Sequence, residues 1–282
     1  MPRPDPLPTP GPDLFRLDDA VALITGAGGA FGRATALGFV RAGARVCLSD
    51  IAPAALEETH ALVEAAGGTC ISVVADASVQ AAVDATFTEL DGAWGRLDVL
   101  VNNAGINLQQ GASEDYPMDM WDHVLRTNLT GYMMHAKAAA KLMLRDGRGG
   151  SIVNVSSISG ASALGRGNLA FGVSKAGIDQ MTRELAVEWA PRGIRVNSIQ
   201  PCQFLNSGLR GLVADPVRAR TVERMVSGIP IGRMGEADEI VGPILFLASP
   251  AASMVTGVNL PVDGGNLAFN AGGSLPAMNA TW

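Results

Sequence analysis

From about residue 18 onward, short apolar runs alternate with longer stretches in which apolar positions recur every three or four residues. The runs predict strands at 20–25, 45–50, 70–76, 99–102, 151–156, 195–200 and 258–262. They are almost continuously apolar rather than alternating, the pattern of parallel strands covered on both faces. The stretches between them, 54–66 and 79–94 among them, have helical period and enough length to cross back over the sheet. Strand–helix alternation with right-handed crossovers predicts an α/β chain forming a doubly wound, Rossmann-like, parallel seven-stranded sheet with helices on both faces. One segment breaks the rhythm. Residues 204–236 separate the sixth strand from the last helix, and an insertion of that length at the carboxyl edge of a parallel sheet predicts a lid over a ligand.

Composition narrows the picture. At 282 residues the chain suits one large domain, here 18–270, flanked by a proline-rich arm at 1–17 and a tail at 271–282. The first twelve residues alternate proline with other residues and have no apolar segment, so they predict an extended, solvated stretch rather than a signal peptide. A net charge of −6 argues against nucleic acid or an anionic membrane as partner, since both demand clustered positive charge. No apolar run is long enough to span a bilayer. Cys47, Cys70 and Cys202 show neither metal nor redox spacing, which points to a reducing cytoplasm and a small-molecule substrate.

The first strand runs into Thr25-Gly26-Ala27-Gly28-Gly29-Ala30-Phe31-Gly32-Arg33 and then an apolar-periodic helix. Small residues there let the backbone approach a pyrophosphate, and the helix amino end supplies N–H donors and a favourable dipole. Asp50 ends the second strand, where a carboxylate accepts hydrogen bonds from ribose hydroxyls and repels a 2′-phosphate. The expected cofactor is NAD.

Taken together, these motifs resemble those of the short-chain dehydrogenase/reductase family across nearly the whole chain. The glycine turn resembles that family's Thr-Gly-x-x-x-Gly-x-Gly motif, and Asn102-Asn103-Ala104-Gly105 matches its Asn-Asn-Ala-Gly after the fourth strand. Asn128, Ser157 and Lys175 fall where the family's catalytic asparagine, serine and lysine lie. The resemblance implies cofactor contacts from Thr25, Gly26, Gly29, Ala30, Phe31, Gly32, Asp50, Ile51 and Lys175. It also implies Asp76 and Ala77 beside the adenine, and Asn103, Ala104 and Gly105 along the cofactor. Pro201 and Phe204 are further implied contacts, and Asn206 is placed near the nicotinamide amide. A homotetramer built partly by long helices near 118–145 and 170–190 is implied as well.

Phe171 is the departure. Within Asn168-Leu-Ala-Phe171-Gly-Val-Ser174-Lys175 it stands four residues before the lysine, where the family has the tyrosine that moves the proton during hydride transfer. That spacing puts both side chains on one helix face. Phenylalanine keeps the shape and lacks the donor, so a pocket can assemble while proton transfer is impaired. An engineered exchange and a natural variant both explain it. Ala30 at a motif glycine and the altered Pro201-Cys202-Gln203-Phe204-Leu205-Asn206 segment speak for the second. The activity expected is NAD(H)-dependent interconversion of a secondary alcohol and a ketone. A lyase or isomerase on the same fold, and a non-catalytic NAD(H)-binding protein, are the alternatives.

Residues expected to face substrate are Asn107, Gln109, Ser157, Ser159, Asn168 and Gln203, polar groups suited to a small hydroxylated or carbonyl-bearing molecule. His135 is expected to be a packed histidine, Tyr132 to sit at a helix–helix contact, and Cys202 to lack the cationic partner of a nucleophile. Arg210, Arg218, Arg220 and Arg224 read chiefly as a solvated face of the lid, with attraction of an anion as the lesser reading.

Overall fold

Alternation within β1 already divides the molecule into two layers of core: Ala22 and Ile24 join one apolar cluster, Val21 and Leu23 the other. The computed structural model describes residues 11–108, 112–145, 147–165 and 167–269. Seven parallel strands form one sheet: β1 (Val21–Thr25), β2 (Arg45–Asp50), β3 (Cys70–Val74), β4 (Val99–Asn102), β5 (Gly150–Val155), β6 (Ile194–Pro201) and β7 (Asn259–Val262). Their order is β3-β2-β1-β4-β5-β6-β7. The chain winds outward from β1 to β3, then returns to lay β4 on the other side of β1. That reversal opens a crevice at the carboxyl ends of β1 and β4, the place where doubly wound sheets bind ligands.

Helices cover both faces. On one side α1 (Ala30–Arg41), α2 (Pro53–Ala65) and α9 (Val241–Ala248) bury Phe39, Leu56, Ile244 and Leu247 against the sheet. On the other, α3 (Gln80–Trp94), α5 (Gly131–Arg145) and α6 (Leu169–Trp189) bury Val83, Leu90, Met143 and Leu185. The fold is the Rossmann-like single domain the sequence predicts, with strand ends moved by a residue or two. The third strand stops at Val74, so Asp76 lies in the turn beyond it, where its Oδ1 accepts from Ser78 N at 2.8 Å.

Three features refine the expectations. The helix expected at 118–145 is not uniform: α4 (Met118–Leu125) joins α5 through a π segment, Arg126–Thr130. The lid is largely helical, with α7 (Ser207–Ala214) and α8 (Ala219–Ser227), and an isolated bridge between Phe204 and Gly235 closes its base. The last residues of the arm dock on the domain. Pro12–Phe15 forms a 3-10 turn, Phe15 packs on Phe246 with ring centres 6.5 Å apart, and Leu17 is buried. Residues 1–10, 270–282 and Gln109 lie outside the described residues. Among the described residues no helix is long and apolar enough to cross a membrane.

Candidate active site

The turn between β1 and α1 is held open by contacts that only glycine permits at two positions. Gly26 has φ +66°, and a Cβ on Gly32 would stand 2.2 Å from the Gly26 carbonyl oxygen. Thr25 braces the turn from within: its Oγ1 accepts from the backbone N–H groups of Asn103 and Ala104 at 3.0 and 3.1 Å. Asn103 returns the tie, donating through Nδ2 to the carbonyls of Thr25 and Gly26 at 3.0 Å. The loops after β1 and β4 are thereby locked together at the crevice.

That crevice is a cleft of about 680 Å³, within the range of small-molecule sites. Thr25, Gly26, Gly29, Ala30, Phe31, Asp50, Ile51, Asp76, Ala77, Asn103, Ala104 and Gly105 line it. A dinucleotide suits this stretch. Gly29 leaves room over the turn, since a Cβ there would meet only Gly26 O, at 3.4 Å. The Asp50 carboxylate accepts from Gly28 N (2.9 Å) and Ala52 N (2.8 Å), one bond per oxygen, which leaves lone pairs for ribose hydroxyls. Phe31 and Phe204 meet edge to face, ring centres 5.1 Å apart, and both line the cleft.

At the inner end, Ser157 caps the short turn after β5. Its Oγ donates to Ser159 Oγ at 3.2 Å and accepts from Ser159 N at 3.1 Å. Phe171 and Lys175 project from the first two turns of α6. The Lys175 side chain is buried; Nζ donates to Val155 O at 2.8 Å and lies 5.4 Å from the centre of the Phe171 ring. Burial pushes its pKa from 10.5 down to about 7, a fall that the nearby Asp179 carboxylate partly opposes. Asn107, Ser159, Asn168 and Gln203 also line the cleft.

Several expected residues take other roles. Gly32 and Pro201 do not line the cleft: Gly32 packs on the turn, and Pro201 pairs with Val262 of β7. Asn128 also stands behind the lining. Its buried amide accepts from Ile106 N (2.8 Å) and donates to Ile106 O (2.9 Å) and Ser174 Oγ (3.1 Å), so it braces the β4 loop against α6. Asn206 does line the cleft, yet its Oδ1 is committed to capping α7 through Leu209 N at 2.9 Å. Tyr132, on α5, meets Lys175 of α6 as well as the sheet. It is buried against the sheet, donating to Val155 O at 3.2 Å, with its ring centre 5.2 Å from Lys175 Nζ. His135 is packed, its Nδ1 2.8 Å from Gly131 O. Burial raises the Cys202 thiol to about 11, which leaves it protonated and poorly nucleophilic at neutral pH.

Sequence reasoning missed other lining residues: His123 and Thr127, one turn apart near the π segment, and Leu164, Leu209 and Met225 toward the lid. The four-residue spacing of His123 and Thr127 was the available signal for the first pair. Of the lid arginines, Arg210 pairs with Glu236, and none of the four lines the cleft.

Comparison with known proteins agrees with this fold. A family model described as enoyl-(acyl carrier protein) reductase matches residues 26–266. The chain is 38% identical over 258 residues to the D-threitol dehydrogenase of Mycolicibacterium smegmatis, covering 89% of this chain and 94% of that one. Among solved structures it is similar to a short-chain type dehydrogenase/reductase from Mycobacterium marinum, with 34% identity, a TM-score of 0.84 and coverage of 90% and 98%. It is also similar to NAD+-bound xylitol dehydrogenase, with 33% identity, a TM-score of 0.83 and coverage of 88% and 99%.

Proposed function

The chain belongs to the short-chain dehydrogenase/reductase family, and from that premise we propose that it is an NAD(H)-dependent oxidoreductase interconverting a secondary alcohol and a ketone, with proton transfer impaired at Phe171. The observation that carries the reading is the convergence of Ser157, Phe171 and Lys175 at the inner end of one cleft whose other end is the glycine turn and Asp50. NAD, when bound, supplies or accepts the hydride. In this reading Ser157 donates a hydrogen bond to the substrate oxygen, while Lys175 holds the nicotinamide ribose. Phe171 fills the place of a phenol without its proton. Relatives named as dehydrogenases of D-threitol and of xylitol support an activity on alcohols.

Asp50 supports NAD over NADP, because a 2′-phosphate would sit against a carboxylate already anchored by two backbone N–H groups. Direct titration checks it: NADH should bind at least tenfold tighter than NADPH, and the reverse order would remove Asp50 from this role. The assembly in this reading is a homotetramer acting in the cytoplasm. Apolar Met133 on α5 and Val173 on α6 are exposed, surfaces suited to association, and all three cysteines are unpaired, as in a reducing compartment.

The decisive experiment restores the phenol. General acid–base help is worth about 10²–10⁴ in rate, or roughly 3–5 kcal/mol. Phe171→Tyr should therefore raise NADH-linked turnover of a secondary alcohol or ketone at least a hundredfold. Undiminished NADH binding with no gain on a panel of polyols, cyclic alcohols and ketones would favour a lyase, isomerase or cofactor-sensing protein instead.

A further inference from the structure

The lid tells what kind of molecule the inner end of the cleft accepts. Among the described residues, no side chain from 208 to 214 of α7 or from Ala219 to Ser227 of α8 is fully buried. What they present to the cleft is apolar: Leu209 from α7 and Met225 from α8, both half-buried. The polar lid residue beside them, Asn206, spends its side-chain oxygen on Leu209 N. Leu164 and Phe171 extend the apolar lining from the β5 loop and α6. Polar groups come from outside the lid, from Asn107, Ser157, Ser159, Asn168 and Gln203.

Charge is distributed in the same sense. No arginine lines the cleft among the described residues, although the lid alone has Arg210, Arg218, Arg220 and Arg224, and Arg233 near its base. Arg210 and Arg233 are paired with Glu236 and Glu239. Lys175, the lining lysine, points its ammonium at Val155 O. A carboxylate or phosphate on the substrate would have no bidentate partner, whereas an apolar body would find four side chains to cover it.

We infer that the substrate is a neutral, amphipathic cyclic alcohol or ketone, held by its oxygens at the Ser157 edge and by its hydrocarbon face under Leu164, Phe171, Leu209 and Met225, rather than an open-chain polyol or a keto acid. The inference rests on the oxidoreductase reading and sharpens it. The apolar ring at Phe171 takes part in the recognition that its missing hydroxyl denies to catalysis.

The test uses dead-end complexes, so it does not depend on turnover. An alcohol cannot react with the reduced cofactor, so the NADH-loaded protein can be titrated calorimetrically with cyclohexane-1,2-diol, xylitol and lactate. The cyclic diol should bind at least tenfold tighter than either of the others. The Leu209→Asn, Met225→Gln double variant should reduce that cyclic-to-polyol preference at least fivefold. Xylitol or lactate binding as tightly as the cyclic diol, absence of binding by all three, or a preference unmoved in the double variant would each overturn the inference. Failure of NADH itself to bind would overturn the oxidoreductase reading beneath it, a result the same titration reports first.

Discussion

Lys175 shows how one residue's burial sets both chemistry and stability. Its ammonium titrates near 10.5 in a solvated chain and near 7 in the folded protein, because burial removes the water that stabilises the charge. Between those values the unfolded chain holds a proton that the folded one has lost. Stability therefore rises with pH across that window. From pH 7 to pH 9 the cofactor-free protein should gain about 2 kcal/mol from this group, a gain absent in Lys175→Met. Urea midpoints of the two proteins at both pH values read the difference directly, and parallel behaviour would show that Lys175 is not buried as described. At this scale the sequence was informative where a residue type is chemically obligatory: Asp50, singled out at its strand end, and Ser157 and Lys175, singled out by the family resemblance, all line the cleft. It was silent where a side chain serves a neighbour. Asn128 and Asn206 have the right chemistry for ligand contacts, yet one braces Ile106 and Ser174 and the other caps α7.

Among the elements, the β1–α1 turn is the most exacting. A methyl group on Gly32 would meet backbone on two sides, Gly26 O at 2.2 Å and Ala27 Cα at 2.7 Å, and backbone cannot swing away as a side-chain tip can. Gly32→Ala should cost about 1–3 kcal/mol of stability and weaken NADH binding at least tenfold. Gly29→Ala, whose Cβ meets only Gly26 O at 3.4 Å, should unfold close to the parent in the same denaturant series. Equal behaviour of the two variants would show that the turn is looser than its geometry implies. The π segment Arg126–Thr130 and the helices of the lid were not legible in the same way. A π turn has the same local composition as the α-helix around it, and no described side chain of α7 or α8 is buried deeply enough to impose a strict apolar period. His123, Leu209 and Met225 were missed for that reason: their place in the cleft comes from how distant elements meet.

For the molecule as a whole, the proposed tetramer is checked by mass. Analytical ultracentrifugation should give a species four times the 29.1 kDa chain, and Val173→Asp should shift it toward smaller species. A monomer at micromolar concentration would remove the exposed apolar residues of α5 and α6 as an interface. The sequence alone determined the seven parallel strands, their helical crossovers and the glycine turn followed by Asp50, because local period, chain direction and the steric demands of glycine are written into neighbouring residues. It also determined that residue 171 has no phenol to offer. Only the tertiary structure decided which polar groups still face the cleft, that the lid shows it leucine and methionine rather than arginine, and that Lys175 sits in a setting that removes its charge near neutrality. Those outcomes depend on burial and on contacts between residues far apart in the chain, and burial is a property of the packed molecule, not of any segment within it.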